Sequence, residues 1–289
     1  MADLLGAWPD EPRVYDRAKT VFDETVTQAF LTDYAFAGCV PAPEIAVMKA
    51  PAPSLHPNSY LTDGRTDAAK LRKLHDTGHT IRLGNLQRVI PYIAALAQGI
   101  QQETGCSNYV HAFLTPAGEQ GLRHHWDQQM AVIVQVAGTK RWPLWRPPVE
   151  APMRECLESW RVWQPHRVPA WEAAGPDVVI DLRAGQSLLL PRGWVHNPHV
   201  ADESEHSVHL TFAIRERTPL WLAEKLVAEA IRDPAFRRVI LPGDITGSAL
   251  VDRVHEARQA LHEHLDKLDL DSLAPALREA AKTESEYRT

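Results

Sequence analysis

Two short segments hold residue types that together bind and activate a metal: His125-Trp126-Asp127, and Pro191-Arg192-Gly193-Trp194-Val195-His196 far downstream. Two imidazoles and one carboxylate are the ligand set of a facial-triad non-haem iron(II) centre, which leaves coordination positions open for a cosubstrate and dioxygen. The spacing has a physical reason. Residues i and i+2 of a strand point to the same face, so His125 and Asp127 can reach one ion while Trp126 points away. His196 must then come from a distant strand. A lone His-x-Asp tripeptide is a weak signal, more often a solvated loop than a ligand pair. Its weight depends on what surrounds it.

The surroundings read as a β-rich domain. Tyr109 to Thr115 is a strand closed by Pro116-Ala117-Gly118. Met130 to Val136 is a β-branched run, followed by a turn at Ala137-Gly138-Thr139 and a strand from Lys140 to Trp145. Asp181 to Gln186 is a turn, Ser187 to Pro191 a buried strand, and Ser207 to Ile214 another. Many short strands separated by Gly and Pro turns predict a mainly β protein with flanking helices, built on a double-stranded β-helix (jelly-roll or cupin) barrel.

The sequence resembles the Jumonji-C oxygenases, in the branch called ribosomal oxygenases. The resemblance rests on Leu114-Thr115-Pro116, Gln120-Gly121, His125-Trp126-Asp127, the run Val134 to Trp142, Leu190 to His196, and Ser207 to Thr211. Leu71 to Leu86, with Gly78-His79-Thr80, resembles the start of that family's catalytic domain. The likeness covers roughly residues 70–216 well and the rest loosely. It implies iron(II), 2-oxoglutarate and dioxygen as cofactor and cosubstrates, hydroxylation of a side chain in a protein or peptide, and His125, Asp127 and His196 as both metal ligands and catalytic residues.

The resemblance also places a basic 2-oxoglutarate partner at Lys140, just after the turn that follows the His-x-Asp strand. A lysine ammonium is a compact charge able to pair with the far carboxylate of the cosubstrate. Read without the family register, Lys140 is equally a hairpin-tip lysine in water. Arg141, its neighbour of opposite direction, should face out. Two positions depart from the family pattern: His111 stands where it carries Asn, and Ala213 where it carries Ser. His111 either hydrogen-bonds to the cosubstrate in place of the Asn or fills space. His124 should point away from His125, as a surface residue or one that supports the ligands. His199 falls in a loop. Ser207, His209 and Thr211 share one face, which makes His209 either a support for a ligand or a satisfied core histidine.

Composition is ordinary for a globular protein, with 44% hydrophobic and 24% charged residues. A net charge of −6 makes a nucleic-acid-binding surface not the default expectation. Cys39, Cys106 and Cys156 have no metal-type spacing, and an odd count predicts reduced thiols in a cytoplasmic protein. Met1 to Gly6 does not read as a secretory leader. No run approaches the length of a membrane span. All the tryptophans except Trp8 lie between Trp126 and Trp221. Trp142 and Trp145 read as barrel core. Trp160, Trp163 and Trp171 fall in the irregular stretch Arg154–Gly175, where they either line a substrate cleft or pack locally.

Three regions follow: residues 1–100, a mixed helix and strand region flanking the barrel; 101–216, the catalytic barrel; and 217–289, a helical module. Asp10 to Phe30 reads as helical at its end, Lys49 to Pro57 as a Pro-rich connector, and Asn85 to Thr104 as helical by its apolar spacing. Thr218-Pro219 is a helix start. A further helix spans about Ser248 to Leu268, with a stripe of Val251, Val254, Leu261, Leu265 and Leu268 that must pack on something. In the resembled family this place holds a helical dimerisation module followed by a winged helix, for which the chain to Thr289 is too short; a homodimer is expected. His262-Glu263-His264 does not converge on a helix and reads as a solvated face. Two readings stand beside the protein hydroxylase: a tailoring hydroxylase of a small molecule or peptide natural product, and a non-catalytic cupin binding module. Nothing singles out methyl-lysine demethylation.

Overall fold

The computed structural model describes residues 8, 10–16, 24–52, 54–153, 167–202 and 205–284. They divide into two compact units, one up to Arg215 and one spanning Glu216–Glu284. In the first unit the strands are β1 (Arg13–Asp16), β2 (Ile45–Met48), β3 (Leu61–Thr62), β4 (Arg65–Thr66), β5 (Thr80–Leu83), β6 (Asn108–Thr115), β7 (Met130–Ala137), β8 (Thr139–Trp145), β9 (Val178–Arg183), β10 (Gln186–Leu190), β11 (Val195–His196) and β12 (Ser207–Ile214). Its helices are α1 (Gln28–Phe36), α2 (Ala68–Asp76), α3 (Pro91–Thr104) and α4 (Val168–Ala174).

Seven strands form an antiparallel sheet in the order β1-β10-β7-β12-β6-β5-β2, and three form a second sheet in the order β11-β8-β9. The chain alternates between them. It leaves β7 in the large sheet, turns at Gly138 and enters β8 in the small one; it returns through β9 to β10, crosses to β11, and returns to β12. That alternation is the double-stranded β-helix. The sheet extends beyond residues 101–216, because β1, β2 and β5 belong to it.

Gly138 permits the crossing. Its φ is +65°, and a Cβ built there would lie 2.1 Å from the His206 carbonyl oxygen. Gly138→Ala is therefore expected to cost about 2–3 kcal/mol, a strained left-handed residue plus a backbone clash. A urea unfolding midpoint unchanged from wild type would show that the corner tolerates a side chain.

Period-two alternation separates core from chemistry. On β6, Val110, Ala112 and Leu114 join the large hydrophobic core, as do Val208, Leu210, Phe212 and Ile214 on β12. Leu31, Leu71, Ile93 and Ile100 of the flanking helices belong to the same core. Burial of each such side chain contributes roughly 1.5–3 kcal/mol. The opposite faces of β6 and β12 carry Tyr109, His111, Phe113, His209, Thr211 and Ala213, all turned into a cavity. A second cluster, including Ile133, Leu144, Leu182, Leu188 and Trp194, closes one side of the barrel.

Two local expectations change. Asn85–Thr104 is not one helix: a short 3-10 turn at Leu86–Arg88 precedes α3, which starts at Pro91, where proline's fixed φ suits a first helical position. Val89 and Leu96 of the apolar series end 51% and 40% exposed. The stretch Asp10–Phe30 is helical at its end, where α1 begins at Gln28, and Arg13–Asp16 near its start is an edge strand on β10; residues 17–23 lie outside the described residues. Cys156, Trp160 and Trp163 also lie outside them.

The second unit is helical: α5 (Pro219–Glu229), α6 (Pro242–Thr246), α7 (Leu250–Asp266) and α8 (Leu270–Thr283). Thr218 caps α5, its hydroxyl accepting from Trp221 N at 3.3 Å, with Pro219 in the first turn. Glu284 accepts from Trp221 Nε1 at 3.0 Å and pairs with Lys225, while Arg217 donates to the Ala281 and Glu284 carbonyls, which joins the start of α5 to the end of α8. On α7, His262 is exposed and His264 packs edge-on against Phe236 with centroids 5.9 Å apart. Among the described residues no helix is long and apolar enough to cross a membrane.

Candidate active site

His125 and His196 are brought together by backbone pairing. His125 N donates to His196 O at 3.0 Å and His196 N to His125 O at 2.7 Å, the reciprocal exchange of an antiparallel pair. Gly193 N also donates to Asp127 O at 2.8 Å. His125 is an isolated bridge residue, and Trp126 and Asp127 lie in no regular strand. The strand expected for the His-x-Asp tripeptide is thus an irregular segment ahead of β7, although both side chains still reach one place.

One ligating atom from each of His125, Asp127 and His196 lies within 4.8 Å of the others. His196 Nε2 stands 3.7 Å from Asp127 Oδ2, and the two imidazole centroids are 4.2 Å apart. Each ring is oriented alike: Nδ1 of His125 is 2.8 Å from Arg123 O, and Nδ1 of His196 is 2.8 Å from Trp194 O. A carbonyl only accepts, so both Nδ1 atoms donate, which in a neutral ring leaves Nε2 with a lone pair. Burial, and next the neighbouring His125, push His196 down to about 4, so it is neutral at pH 7, the form that ligates. Two imidazoles and one carboxylate, without a thiolate, fit a first-row divalent cation. Among the described residues this is the one grouping of three or more such side chains.

The grouping opens on a cavity of about 370 Å³. Lys140 on β8 points into it, only 2% exposed, its Nζ donating to Thr115 Oγ1 at 2.8 Å. Thr115 in turn accepts from Thr80 Oγ1 at 3.1 Å. Among the described residues no carboxylate pairs with Lys140, and burial pushes its ammonium down to about 7. Arg141 faces out as expected and holds Asp181 with two hydrogen bonds of 2.7 and 2.9 Å.

His111 lines the cavity between Tyr109 and Phe113, with Nδ1 unpartnered. Burial, then the nearby Arg82, push it down to about 3, so it is a neutral donor and acceptor. Ala213 lies on the same wall and leaves space where a serine would reach in. His209 is not a satisfied core residue: it is buried, lines the cavity, stacks on Phe113 at 4.9 Å and has an unpartnered Nδ1. His124 is not on the surface; it is 5% exposed, with Nε2 at 3.2 Å from Asn197 Nδ2. It sits against Trp145 and Trp171, and Trp171 packs on the cluster of Trp126, Trp145 and Val195. The described part of the aromatic stretch thus packs locally. His199 pairs with Gln120 and Arg141 in isolated β-bridges, so its backbone is extended rather than a free loop. Trp142 is barrel core as expected and also walls the cavity, 5.7 Å from His196.

Arg82, Tyr109, Thr80 and Thr115 also line or support this site without having been singled out. The signal was present for the first: Thr80-Ile81-Arg82-Leu83 alternates, with Ile81 and Leu83 in the core and Thr80 and Arg82 turned to the cavity.

Fold and site together define a double-stranded β-helix protein with a two-histidine, one-carboxylate grouping at the mouth of its barrel. A family model described as the JmjC domain matches residues 82–220, the stretch that carries the site. It is 28% identical over 223 residues to a Drosophila simulans protein named "Bifunctional lysine-specific demethylase and histidyl-hydroxylase NO66", covering 74% of this chain and 25% of that one. The chain spans about a quarter of that relative's length. The fold is similar to that of YcfD, a ribosomal oxygenase from Escherichia coli, solved with cobalt and succinic acid: TM-score 0.58, 15% identity, 92% of this chain and 68% of that one. A second YcfD structure, with cobalt and 2-oxoglutarate, has TM-score 0.54 and 16% identity over 91% of this chain and 67% of that one.

Proposed function

We propose that this protein is an iron(II)- and 2-oxoglutarate-dependent oxygenase that hydroxylates an amino-acid side chain in a protein or peptide. The observation that carries this reading is a buried, unpaired Lys140 in the same cavity as the two-histidine, one-carboxylate grouping. In this reading His125, Asp127 and His196 hold the metal. Iron(II) bound there, with dioxygen and 2-oxoglutarate, supplies the oxidising chemistry, and the cosubstrate leaves as succinate and carbon dioxide. The protein's own part is positioning and exclusion of water. Arg123 and Trp194 carbonyls hold the imidazole tautomers. Lys140, oriented by Thr115, supplies the charge that the far carboxylate of 2-oxoglutarate needs. Trp142 and His209 wall the space beside the metal position, and His111 offers an unpartnered nitrogen to the cosubstrate. A buried cation with no ion-pair partner among the described residues argues against a decayed binding module. The test is a mass-spectrometric search of host peptides for the gain of one oxygen atom, present with wild type and absent with Asp127→Ala.

The second unit supports a homodimer. Ile231, Val239, Leu241, Val251, Val254 and Leu270 are each at least 58% exposed within a short helical unit, and a two-fold contact is the commonest closed way to cover such a surface. The full chain is expected to run as a dimer at micromolar concentration in light scattering. The double change Val251→Glu and Val254→Glu should convert it to a monomer; a monomeric wild type would refute the interface. Cys39, an exposed thiol outside any disulfide, favours a reducing, cytoplasmic setting.

A further inference from the structure

Arg82 is the second cation of the cavity, and nothing in the proposed chemistry uses it. It stands on β5, its backbone between Ala46 of β2 and Phe113 of β6. Its side chain lines the same cavity as His125, Asp127, Lys140 and His196. The guanidinium makes no hydrogen bond or ion pair with any described residue, and its Nε is fully buried without a partner. Glu44 is the acid whose charge reaches it, but that carboxylate makes no salt bridge to Arg82 and is engaged elsewhere, accepting from Asn85 Nδ2 at 2.8 Å and lying 3.8 Å from Arg88. Burial lowers the Arg82 pKa, as it does for a charge whose lost hydration is not replaced.

Asp127 is the only carboxylate lining the cavity among the described residues, and the metal reading commits it to the ion. The proposed cosubstrate brings charge for the metal and for Lys140. Arg82 is left over. A buried arginine without a counter-charge is costly, and its rigid fork of donors matches a carboxylate in two parallel hydrogen bonds. The side chains beside it are suited to the same task. Tyr109 lines the same cavity, and burial keeps its phenol protonated and so able to donate. The His111 ring, 4.7 Å from that of Tyr109, is neutral and has a free nitrogen.

We propose that Arg82, with Tyr109, forms a carboxylate-binding subsite that selects a substrate bearing an acidic group, an Asp or Glu side chain of a peptide or a free amino-dicarboxylic acid, next to the metal position. The proposal rests on the oxygenase reading for what happens to the substrate. It rests on the unpaired guanidinium for which substrate is chosen.

Binding separates the two. With the full-length protein loaded with manganese(II) and 2-oxoglutarate, so that no turnover occurs, fluorescence anisotropy would compare labelled pentapeptides of glycine with a central Asp, Asn, Glu or Gln. At least one acidic peptide is expected to bind ten times or more tighter than its amide twin, because the amide leaves the guanidinium unpaired. Arg82→Gln should erase that preference, while Arg82→Lys keeps the charge and retains part of it. Unlabelled free aspartate or glutamate competing as well as the acidic peptide identifies the free acid as the ligand; competition by the peptide alone identifies the peptide. Equal binding of acid and amide by wild type, including no binding of either, overturns the proposal. So does an undiminished preference in Arg82→Gln. A loss of 2-oxoglutarate affinity in Arg82→Gln as large as that in Lys140→Ala also overturns it, since Arg82 would then be the partner of the cosubstrate. The oxygenase reading fails on a different result: no succinate release by wild type with iron, whatever the peptide preference.

Discussion

Asp127→Ala is expected to lower divalent-metal affinity by a hundredfold or more and to reduce succinate release to background. Changing an outer partner of a metal ligand typically costs 10–100-fold, and losing the only anionic ligand must cost at least the upper end of that range. The geometry makes the effect specific. Asp127 is the single carboxylate among the described residues lining the cavity, and its Oδ2 is 3.7 Å from His196 Nε2. It lies on the irregular segment before β7, so the substitution removes charge without opening a cavity in the core. The measurements are anaerobic calorimetric titration with iron(II) or manganese(II), and succinate release with and without iron. A variant that keeps metal affinity within a few-fold of wild type would remove Asp127 from the site. His196 should contribute little proton release on metal binding near pH 7, because burial already holds it neutral.

Lys140→Ala is expected to weaken 2-oxoglutarate binding by at least about 30-fold, the scale of a lost charge-assisted hydrogen bond, and to change metal affinity far less. The same ammonium gives a pH signature. Burial holds Lys140 at about 7 in the unliganded protein. Only the charged form pairs with a carboxylate, so the apparent dissociation constant for 2-oxoglutarate should rise by up to about tenfold per pH unit above that value, as the competent fraction falls. Stability moves the other way. The folded pKa is depressed from 10.5 to about 7, so the contribution of this group is fully present above the unfolded value and is lost as pH falls through the folded one. Lys140→Met should therefore raise the unfolding free energy at pH 6, by on the order of 2 kcal/mol, by removing a buried charge without a counter-ion. A pH-independent 2-oxoglutarate affinity between pH 6 and 9, or a destabilised Lys140→Met protein, would contradict this placement of the ammonium.

These expectations distinguish two roles for cations in one cavity. Lys140 is tethered by Thr115 and lies deep; Arg82 is tethered by nothing. Their substitutions should separate cosubstrate affinity from substrate choice. One would not see that division from sequence position alone, since residues 82 and 140 lie on β5 of the large sheet and β8 of the small one.

The sequence by itself determined the chemistry-bearing residues and the type of fold. Alternation on β6 and β12 is strong because each strand has one face in an apolar core, and a one-residue slip would turn that face to the cavity. The same period two announced that Ser207, His209 and Thr211 share a face. Glycine and proline marked the corners, since Gly138 must be left-handed where its carbonyl neighbour leaves no room for a Cβ. The His-x-Asp spacing was legible for a reason that survives the loss of the regular strand: two side chains separated by one residue in extended backbone point the same way.

Only the tertiary structure decided what these residues meet. Periodicity cannot report that His125 and His196 exchange backbone hydrogen bonds, because that pairing depends on the chain crossing repeatedly between two sheets. It cannot report that His124 is buried among tryptophans, since His124 and His125 differ only in direction until the packing on either side exists. The helical spacing of Asn85–Thr104 failed at Pro91, where a local backbone constraint outweighed an apolar pattern. Arg82 was passed over because an arginine between apolar strand residues reads as solvent-facing by default. Its burial against the cavity, without an ion pair to any described residue, exists only once β5 is laid beside β6.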